Sequence, residues 1–359
     1  MGQMTSPGDL GSSSTDESVW IRVEEPSTCA SVRRRAAELA RQVQLAHDQI
    51  EEVAVAASEL ASNLVKHARE GAVLLRVLRR GGTAGVGVLT LDHGPGTRDI
   101  AALSVDGVTT TGTLGIGLGA VRRFADRLDL HSVPGLGTVV SAEFWRHESA
   151  ARGGSDPTHG SDLFGGLLRP LPGESVCGDA YAHRATDDGS IVMMVDGLGH
   201  GPMAARASDA AVRTFLASRR SAPGHLLEEL HVALRDTRGA AVAIARVDHR
   251  TQSLTYAGIG NIAGRVVDAS ASSQLASQPG IVGHNAPSVR EVDVRLERGQ
   301  WLVMHSDGLS DRWRVQDLPG VLATSPVVLS AALLRAAGGR RDDAGVLTLR
   351  LDGGGGHGQ

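Results

Sequence analysis

Cysteine, lysine, aromatic side chains and long apolar runs are what this chain has least of. Two cysteines in 359 residues, Cys29 and Cys177, exclude a disulfide scaffold and a cysteine-rich zinc site. Aromatic residues make up 3% of the chain, too few for the stacking platforms on which single strands of nucleic acid bind. Charges nearly balance, 36 Lys plus Arg against 40 Asp plus Glu for a net −4, whereas a dedicated nucleic-acid binder is basic. No nucleic-acid partner is expected. Lys66 is the single lysine, and arginine carries nearly all the positive charge. No apolar run reaches bilayer length, and the N-terminus lacks the basic-then-apolar layout of a signal peptide. The expectation is a cytoplasmic protein with no membrane contact.

What is present suits two globular domains: 41% hydrophobic and 21% charged residues over a length too great for one ordinary domain. Residues 1–17 are Gly, Ser, Thr and Asp with hardly an apolar side chain, and read as disordered. Residues 148–161 have linker composition, and 353–359 form a polar tail. Two bodies remain, 18–147 and 162–352. In the first, a strand at 19–23 precedes helical patterns at 27–45 and 47–69. In the second helix Val53, Ala57, Leu60 and Leu64 form the buried stripe. Strand patterns at 72–78 and 85–91, a helix at 116–127, and strands at 128–133 and 138–144 complete an α+β sandwich. The second body has strand patterns at 191–195, 240–247, 253–257, 263–267, 288–296, 301–305 and 345–351. Helical patterns at 202–217, 224–235 and 327–337 interrupt them. Many strands with few helices predict two sheets face to face, flanked by helices.

In the first body Glu59 and Asn63 lie four apart and share a helix face. Strand 85–91 runs into Asp92-His93-Gly94-Pro95-Gly96, and Gly115-Ile116-Gly117-Leu118-Gly119 runs into a helix. Glycines at a helix N-terminus let backbone N–H groups approach phosphate, and an Asn oxygen is a hard ligand for Mg²⁺. Each piece alone has a bland reading, a solvated helix face or an ordinary loop. Their order, Glu-x-x-x-Asn, Asp-x-Gly-x-Gly and Gly-x-Gly-x-Gly, resembles the ATP-binding fold of histidine kinases, gyrase and Hsp90-type proteins. The stretch from Ser58 to Ala68 resembles the anti-sigma-factor serine kinases of RsbT/RsbW type. That resemblance implies an ATP site with Mg²⁺ on Asn63, Glu59 as the catalytic base and Asp92 on the adenine amino group. It further implies Gly94, Gly96, Gly115, Gly117 and Gly119 around the nucleotide and 97–114 as a lid. Lys66 and His67 follow on nearly the same face, either as phosphate or protein contacts or as plain exposed polar residues.

In the second body, apolar runs end in Asp196-Gly197 and Asp307-Gly308, Asp342-Asp343 stands before the last strand, and Gly178-Asp179 precedes the first. An Asp-Gly pair is most often a turn. Several acids at strand ends would repel one another, so a cation is their natural partner, and an all-oxygen donor set favours Mg²⁺ or Mn²⁺. Four segments in order resemble the SpoIIE/RsbX branch of metal-dependent type 2C serine/threonine phosphatases: 177–181, 195–201, 306–311 and 342–347. Residues 256–261 resemble that branch's central hairpin. The resemblance implies an αββα sandwich with two ions, Asp196 bridging both as the catalytic carboxylate. Gly197 would bind one ion by its carbonyl, Asp307 and Asp342 would complete the second site, and Asp179 would stand beside them. Ala182 departs from the pattern, since many relatives carry an Asp there. His200 reads as an acid or phosphate contact or as a structural residue at a helix start, and Cys177 as a small buried residue.

Taken together, the two resemblances imply a partner-switching regulator of stress signalling. Its phosphatase would act on phosphorylated STAS-type anti-sigma antagonists, and its ATP-binding domain would phosphorylate serine. In the alternative, that domain only binds ATP and a partner such as a sigma factor, or senses nucleotide and controls the phosphatase.

Overall fold

Helix α1 (Pro26–Gln42) opens on a proline at its first turn, where the missing N–H is not needed. It ends three residues earlier than its periodicity suggests, because Gln44 takes a positive φ of 60° and turns the chain. Helix α2 (His47–His67) follows at once, its start held by Gln49, whose side-chain oxygen accepts from the Ala46 N–H. The expected stripe of Val53, Ala57, Leu60 and Leu64 is buried. The structure, a computed structural model, describes residues 17–80, 82–99, 117–147, 163–339 and 341–351. The first sixteen residues, the linker 148–161, the tail 353–359, Gly115 and most of the lid therefore lie outside the described residues.

Strands β1 (Ser18–Val23), β2 (Gly71–Arg80), β3 (Thr83–Leu91), β4 (Arg127–Val133) and β5 (Gly137–Trp145) form an antiparallel sheet in the order β1-β2-β3-β5-β4. A short helix α3 (Gly117–Phe124) packs on α2 and stops where β4 begins. One apolar core joins the helices to the sheet, with Leu39, Leu60, Val73, Val88, Val121 and Phe144 among its buried members. This is the expected α+β sandwich.

The second body contains two five-stranded sheets. One has the order β13-β10-β9-β8-β7 and the other β12-β11-β14-β15-β6. The first is built from β7 (Asp179–Thr186), β8 (Gly189–Gly197), β9 (Ala240–Asp248), β10 (Ser253–Ile259) and β13 (Val292–Arg295). The second is built from β6 (Phe164–Arg169), β11 (Ala263–Val267), β12 (Ser272–Leu275), β14 (Trp301–His305) and β15 (Ala344–Arg350). Their inner faces share a core that includes Met194, Ala243 and Tyr256 from one sheet and Leu302, Met304 and Leu347 from the other. Helices α4 (Pro202–Ala217) and α5 (Pro223–Ala233) cover the outer face of the first sheet through Val212, Phe215, Leu227 and Leu230. Strands β6, β7 and β12 have no clear sequence signal, and β13 is shorter than expected because it is an exposed edge.

By contacts the chain divides into two units. One combines Asp16–Ser161 with Leu318–Arg335, and the other contains Asp162–Asp317 and Ala336–Gln359. The segment Leu318–Arg335 carries most of α6 (Pro326–Ala337), a helix apolar on every face and buried from Pro326 to Arg335. Hydrogen bonds hold this segment in the N-terminal unit. The Ser325 N–H donates to Asp129 Oδ2 at 2.6 Å, His131 Nε2 lies 3.1 Å from the Pro319 carbonyl oxygen, and His93 Nε2 lies 3.1 Å from that of Arg335.

Candidate functional sites

The residues expected around a nucleotide in the N-terminal unit lie on the C-terminal half of α2 and just beyond the end of β3. Glu59 and Asn63 are half-buried one helical turn apart on α2, while Lys66 and His67 are exposed at its end. Asp92 leaves β3 and bends back, its Oδ1 accepting from the Gly94 N–H at 2.6 Å and the Thr138 N–H at 3.3 Å. Burial raises its carboxyl pKa, and these two donors with the Arg335 and His93 charges oppose the rise. The loop that follows is fitted against the β4–β5 turn, where the Gly135 N–H donates to the Pro95 carbonyl at 2.7 Å. Gly96 has φ +60°, and a Cβ there would stand 2.1 Å from the Val133 carbonyl oxygen, so only glycine fits. Gly117 and Gly119 begin α3, which packs against α2.

Sequence reasoning missed Arg335. The residue is 4% exposed, both terminal guanidinium nitrogens lack a hydrogen-bond partner among the described residues, and its charge acts on Asp92. Burial lowers its pKa and Asp92 opposes that shift. The only sequence signal was an arginine ending an otherwise apolar helix.

In the second unit, strand pairing brings the acids together. Asp179 on β7 stands directly opposite Asp196 on β8, an adjacency invisible without knowing that 179–186 is a strand. Asp179 is 3% exposed, and its Oδ2 accepts from Ser306 Oγ at 2.5 Å. Ser306 Oγ in turn accepts from the Gly345 N–H at 2.9 Å, which ties β7 to the start of β15. Asp307 Oδ2 accepts from Asn261 Nδ2 at 2.7 Å. Asp343 is consumed structurally, accepting from the Leu171 and Gly178 N–H groups at 2.7 and 2.8 Å. Asp342 Oδ1 accepts from the Asp343 N–H at 2.9 Å. Gly197 leaves no room for a side chain, since a Cβ would meet the Ala204 carbonyl oxygen of α4 at 2.4 Å.

The electrostatics of these acids is one-sided. Burial, then the charges of Asp307, Asp342 and Asp343, push the Asp196 carboxyl up to about 7. Burial and the neighbouring Asp196 raise Asp179, and burial and Asp342 raise Asp307. Such a field calls for a cation, and the all-oxygen donors suit a hard divalent ion. Among the described residues, no three His, Cys, Asp or Glu side chains are grouped tightly enough to enclose an ion. The fit is thus in charge and donor chemistry. Asn261 and Ser306 are the two site residues that sequence reading passed over. Both stand within quoted motifs, and only the fold shows that they hold Asp307 and Asp179.

His200 Nδ1 lies 2.9 Å from Glu174 Oε1, just before the first residue of α4, which favours its structural reading. Cys177 is half-buried rather than the buried residue expected, yet desolvation and the adjacent Asp179 and Asp343 push its thiol pKa far up, which leaves it inert. No helix among the described residues is long and apolar enough to cross a membrane.

Known proteins match both halves. The family model described as "Histidine kinase-like ATPase domain" matches residues 23–144, and that described as "Stage II sporulation protein E (SpoIIE)" matches 186–352. The serine/threonine-protein kinase RsbT of Bacillus subtilis (strain 168) is 38% identical over 93 residues, 26% of this chain and 70% of that protein. The phosphoserine phosphatase RsbX of the same strain is 28% identical over 142 residues, 38% of this chain and 70% of that protein. A solved structure described as "The bacterial stressosome: a modular system that has been adapted to control secondary messenger signaling" is 30% identical. It aligns with TM-score 0.49 over 52% of this chain and 98% of its own. Through its first half the chain belongs to the RsbT family of histidine kinase-like ATPase domains, and its second half is a SpoIIE domain of the type 2C phosphatase fold.

Proposed function

We propose that the protein is a partner-switching regulator whose SpoIIE domain removes phosphate from serine or threonine of a STAS-type anti-sigma antagonist. The observation that carries this reading is the pairing of Asp179 with Asp196 beside Asp307 and Asp342, all in a field that favours a divalent cation. Asp196, Asp307 and Asp342, with the Gly197 carbonyl and Asp179 beside them, would hold two Mg²⁺ or Mn²⁺ ions. When bound, these would supply a water nucleophile for in-line attack on phosphorus. The chain's own part is to orient the carboxylates. Ser306 fixes Asp179, Asn261 fixes Asp307, and the buried β8 strand fixes Asp196. The P–O bond to the side-chain oxygen breaks, that oxygen takes a proton, and inorganic phosphate leaves.

The ATP-binding half supports a second activity, phosphoryl transfer from ATP to a serine of a STAS protein. Asn63 would ligate Mg²⁺, Glu59 would accept the hydroxyl proton, and Asp92, with Gly94, Gly96, Gly115, Gly117 and Gly119, would seat the nucleotide. A phosphate placed in a protein–protein contact adds a charge of about −1.5 to −2, enough to break or make a complex. The rival, a domain that binds ATP without transfer, draws on Arg335, a buried arginine whose charge acts on Asp92.

The test incubates the full chain with metal, ATP and candidate STAS proteins and follows phosphate by mass spectrometry. Asp196→Asn is expected to raise phosphorylation and Glu59→Gln to lower it. Unchanged dephosphorylation in Asp196→Asn defeats the phosphatase assignment. Unchanged phosphorylation in Glu59→Gln hands the first domain to the binding-only reading.

A further inference from the structure

A groove of about 600 Å³ opens between the β11–β12 hairpin and the 311–316 segment that follows Asp307. Pairing puts Arg265 opposite Gln274 and Val267 opposite Ser272. Val266 and Leu275 belong to the core between the sheets, so Arg265, Gln274 and Ser272 point to the outer face and floor the groove. Three arginines line it, Arg265, Arg312 and Arg314, against one carboxylate, Asp311. Arg265 is committed. It donates to the Asp311 carbonyl at 2.6 Å, approaches the Asp311 carboxylate at 3.3 Å, and lies 4.8 Å from the Trp313 ring centre. Arg312 and Arg314 are exposed and make no ion pair among the described residues.

The wall is tied by hydrogen bonds to the strand that leads into Asp307. Trp313 Nε1 donates to His305 Nε2 at 3.1 Å, and His305 Nδ1 lies 2.8 Å from the Ser306 carbonyl oxygen. His305 ends β14, two residues before Asp307. Asp311, the first groove residue of this segment, thus follows Asp307 closely in the chain. Strand β12 is an edge of its sheet, and its exposed residues, Ser272, Ser273 and Gln274, carry neither charge nor proline to block an added strand.

We propose that this groove docks an extended acidic segment of the phosphoprotein substrate, alongside β12 and with its carboxylates on Arg312 and Arg314. The inference rests on the phosphatase reading above. Two free arginines supply the attraction, and the hydroxyl and amide groups of the floor can pair with an extended backbone. Nucleic acid fits less well, because the one aromatic ring of the groove is already covered by the Arg265 guanidinium.

The test uses the full chain and a fluorescein-labelled ten-residue Asp/Glu-rich peptide without phosphate, read by anisotropy at low salt. The parent is expected to bind it, and to bind neither a neutral peptide of the same length nor a single-stranded oligonucleotide. Arg312→Glu/Arg314→Glu should weaken binding by about tenfold or more, because reversing two charges turns attraction into repulsion. Both side chains are exposed, and Arg312→Gln/Arg314→Gln should give an intermediate loss. A phosphoserine peptide bearing the acidic tract should lose kcat/KM by a similar factor, while turnover of p-nitrophenyl phosphate, too small to reach the groove, stays at the parental rate. Equal peptide binding by parent and both variants overturns the groove, as does a preference for the oligonucleotide. If the parent hydrolyses no phosphate ester, the phosphatase reading fails, and the anisotropy measurement still decides the groove.

Discussion

Neutralising Asp196 should stabilise the metal-free protein while abolishing its response to metal. Asp196 sits at the end of β8 opposite Asp179, and its carboxyl is pushed up to about 7 from 3.8 by burial and by Asp307, Asp342 and Asp343. A rise of that size corresponds to about 4 kcal/mol of penalty on the charged form, shared with the other acids, so this is the ceiling for the gain. The sign follows from proton binding. Between the unfolded and folded values, the native carboxyl keeps a proton that the unfolded chain has released. Stability is therefore full below about pH 4, falls as pH rises, and levels off above about pH 7. Asp196→Asn removes this slope. In a chelator at pH 7.5 the variant should melt higher than the parent by several degrees, at about 2–4 °C per kcal/mol for units of this size. At a hundred times its dissociation constant, Mg²⁺ should add about 2.7 kcal/mol to the parent and nothing to the variant. The assay is thermal unfolding of the full chain with and without Mg²⁺ across pH 5–8. A parent and variant that melt together in chelator, or gain equally from metal, would refute the electrostatic account.

Asn63→Ala should weaken ATP–Mg²⁺ binding by calorimetry on the full chain; unchanged affinity removes Asn63 from the metal. Gly96→Ala should cost several kcal/mol in denaturant unfolding, because a Cβ at φ +60° would stand 2.1 Å from the Val133 carbonyl oxygen. Tyr256 is buried, its hydroxyl is 2.8 Å from Ser277 Oγ, and burial raises its pKa to about 12. Stability should then fall between pH 10 and 12 as the unfolded phenol ionises first, and Tyr256→Phe should abolish this loss. Cys177 should resist iodoacetamide at pH 8 in the native chain, since burial and two neighbouring carboxylates keep it a thiol; rapid native labelling would place it in a more open setting.

Much of the architecture is legible because the chemistry is local. The apolar stripe of α2, the runs ending in Asp196 and Asp307, and the glycine-rich turns each announce themselves within a dozen residues. What is illegible depends on partners far away in sequence. Strand β7 alternates weakly, with Ala180 and Ala182 buried and Tyr181 and His183 half-buried, so nothing local shows that Asp179 faces Asp196. Strand β12 is four polar residues and one sheet edge. Asn261 sits in a recognisable Gly-Ile-Gly-Asn turn, yet its task of holding Asp307 spans 46 positions. Arg335 gives the sharpest case, since its meaning comes from Asp92, far earlier in the chain.

The segment Leu318–Arg335 has a consequence for how the chain is made. Its anchor, the Ser325 N–H on Asp129, closes a loop of 196 residues, and residues 162–317 belong to the other unit. During synthesis from the N-terminus, the sheet β1–β5 and helices α1–α3 emerge first but must wait for residue 335 before the hydrogen bonds of Asp129, His131 and His93 to this segment can form. Long closures of this kind slow folding and leave apolar surface open meanwhile. A ribosome stalled so that residue 161 has just left the exit tunnel should hold an N-terminal unit that is collapsed yet protease-sensitive, and one stalled so that residue 335 has left it should hold a resistant one. The first unit begun is thus finished only when nearly all of the second has been made, with just the latter's closing strand β15 still to come.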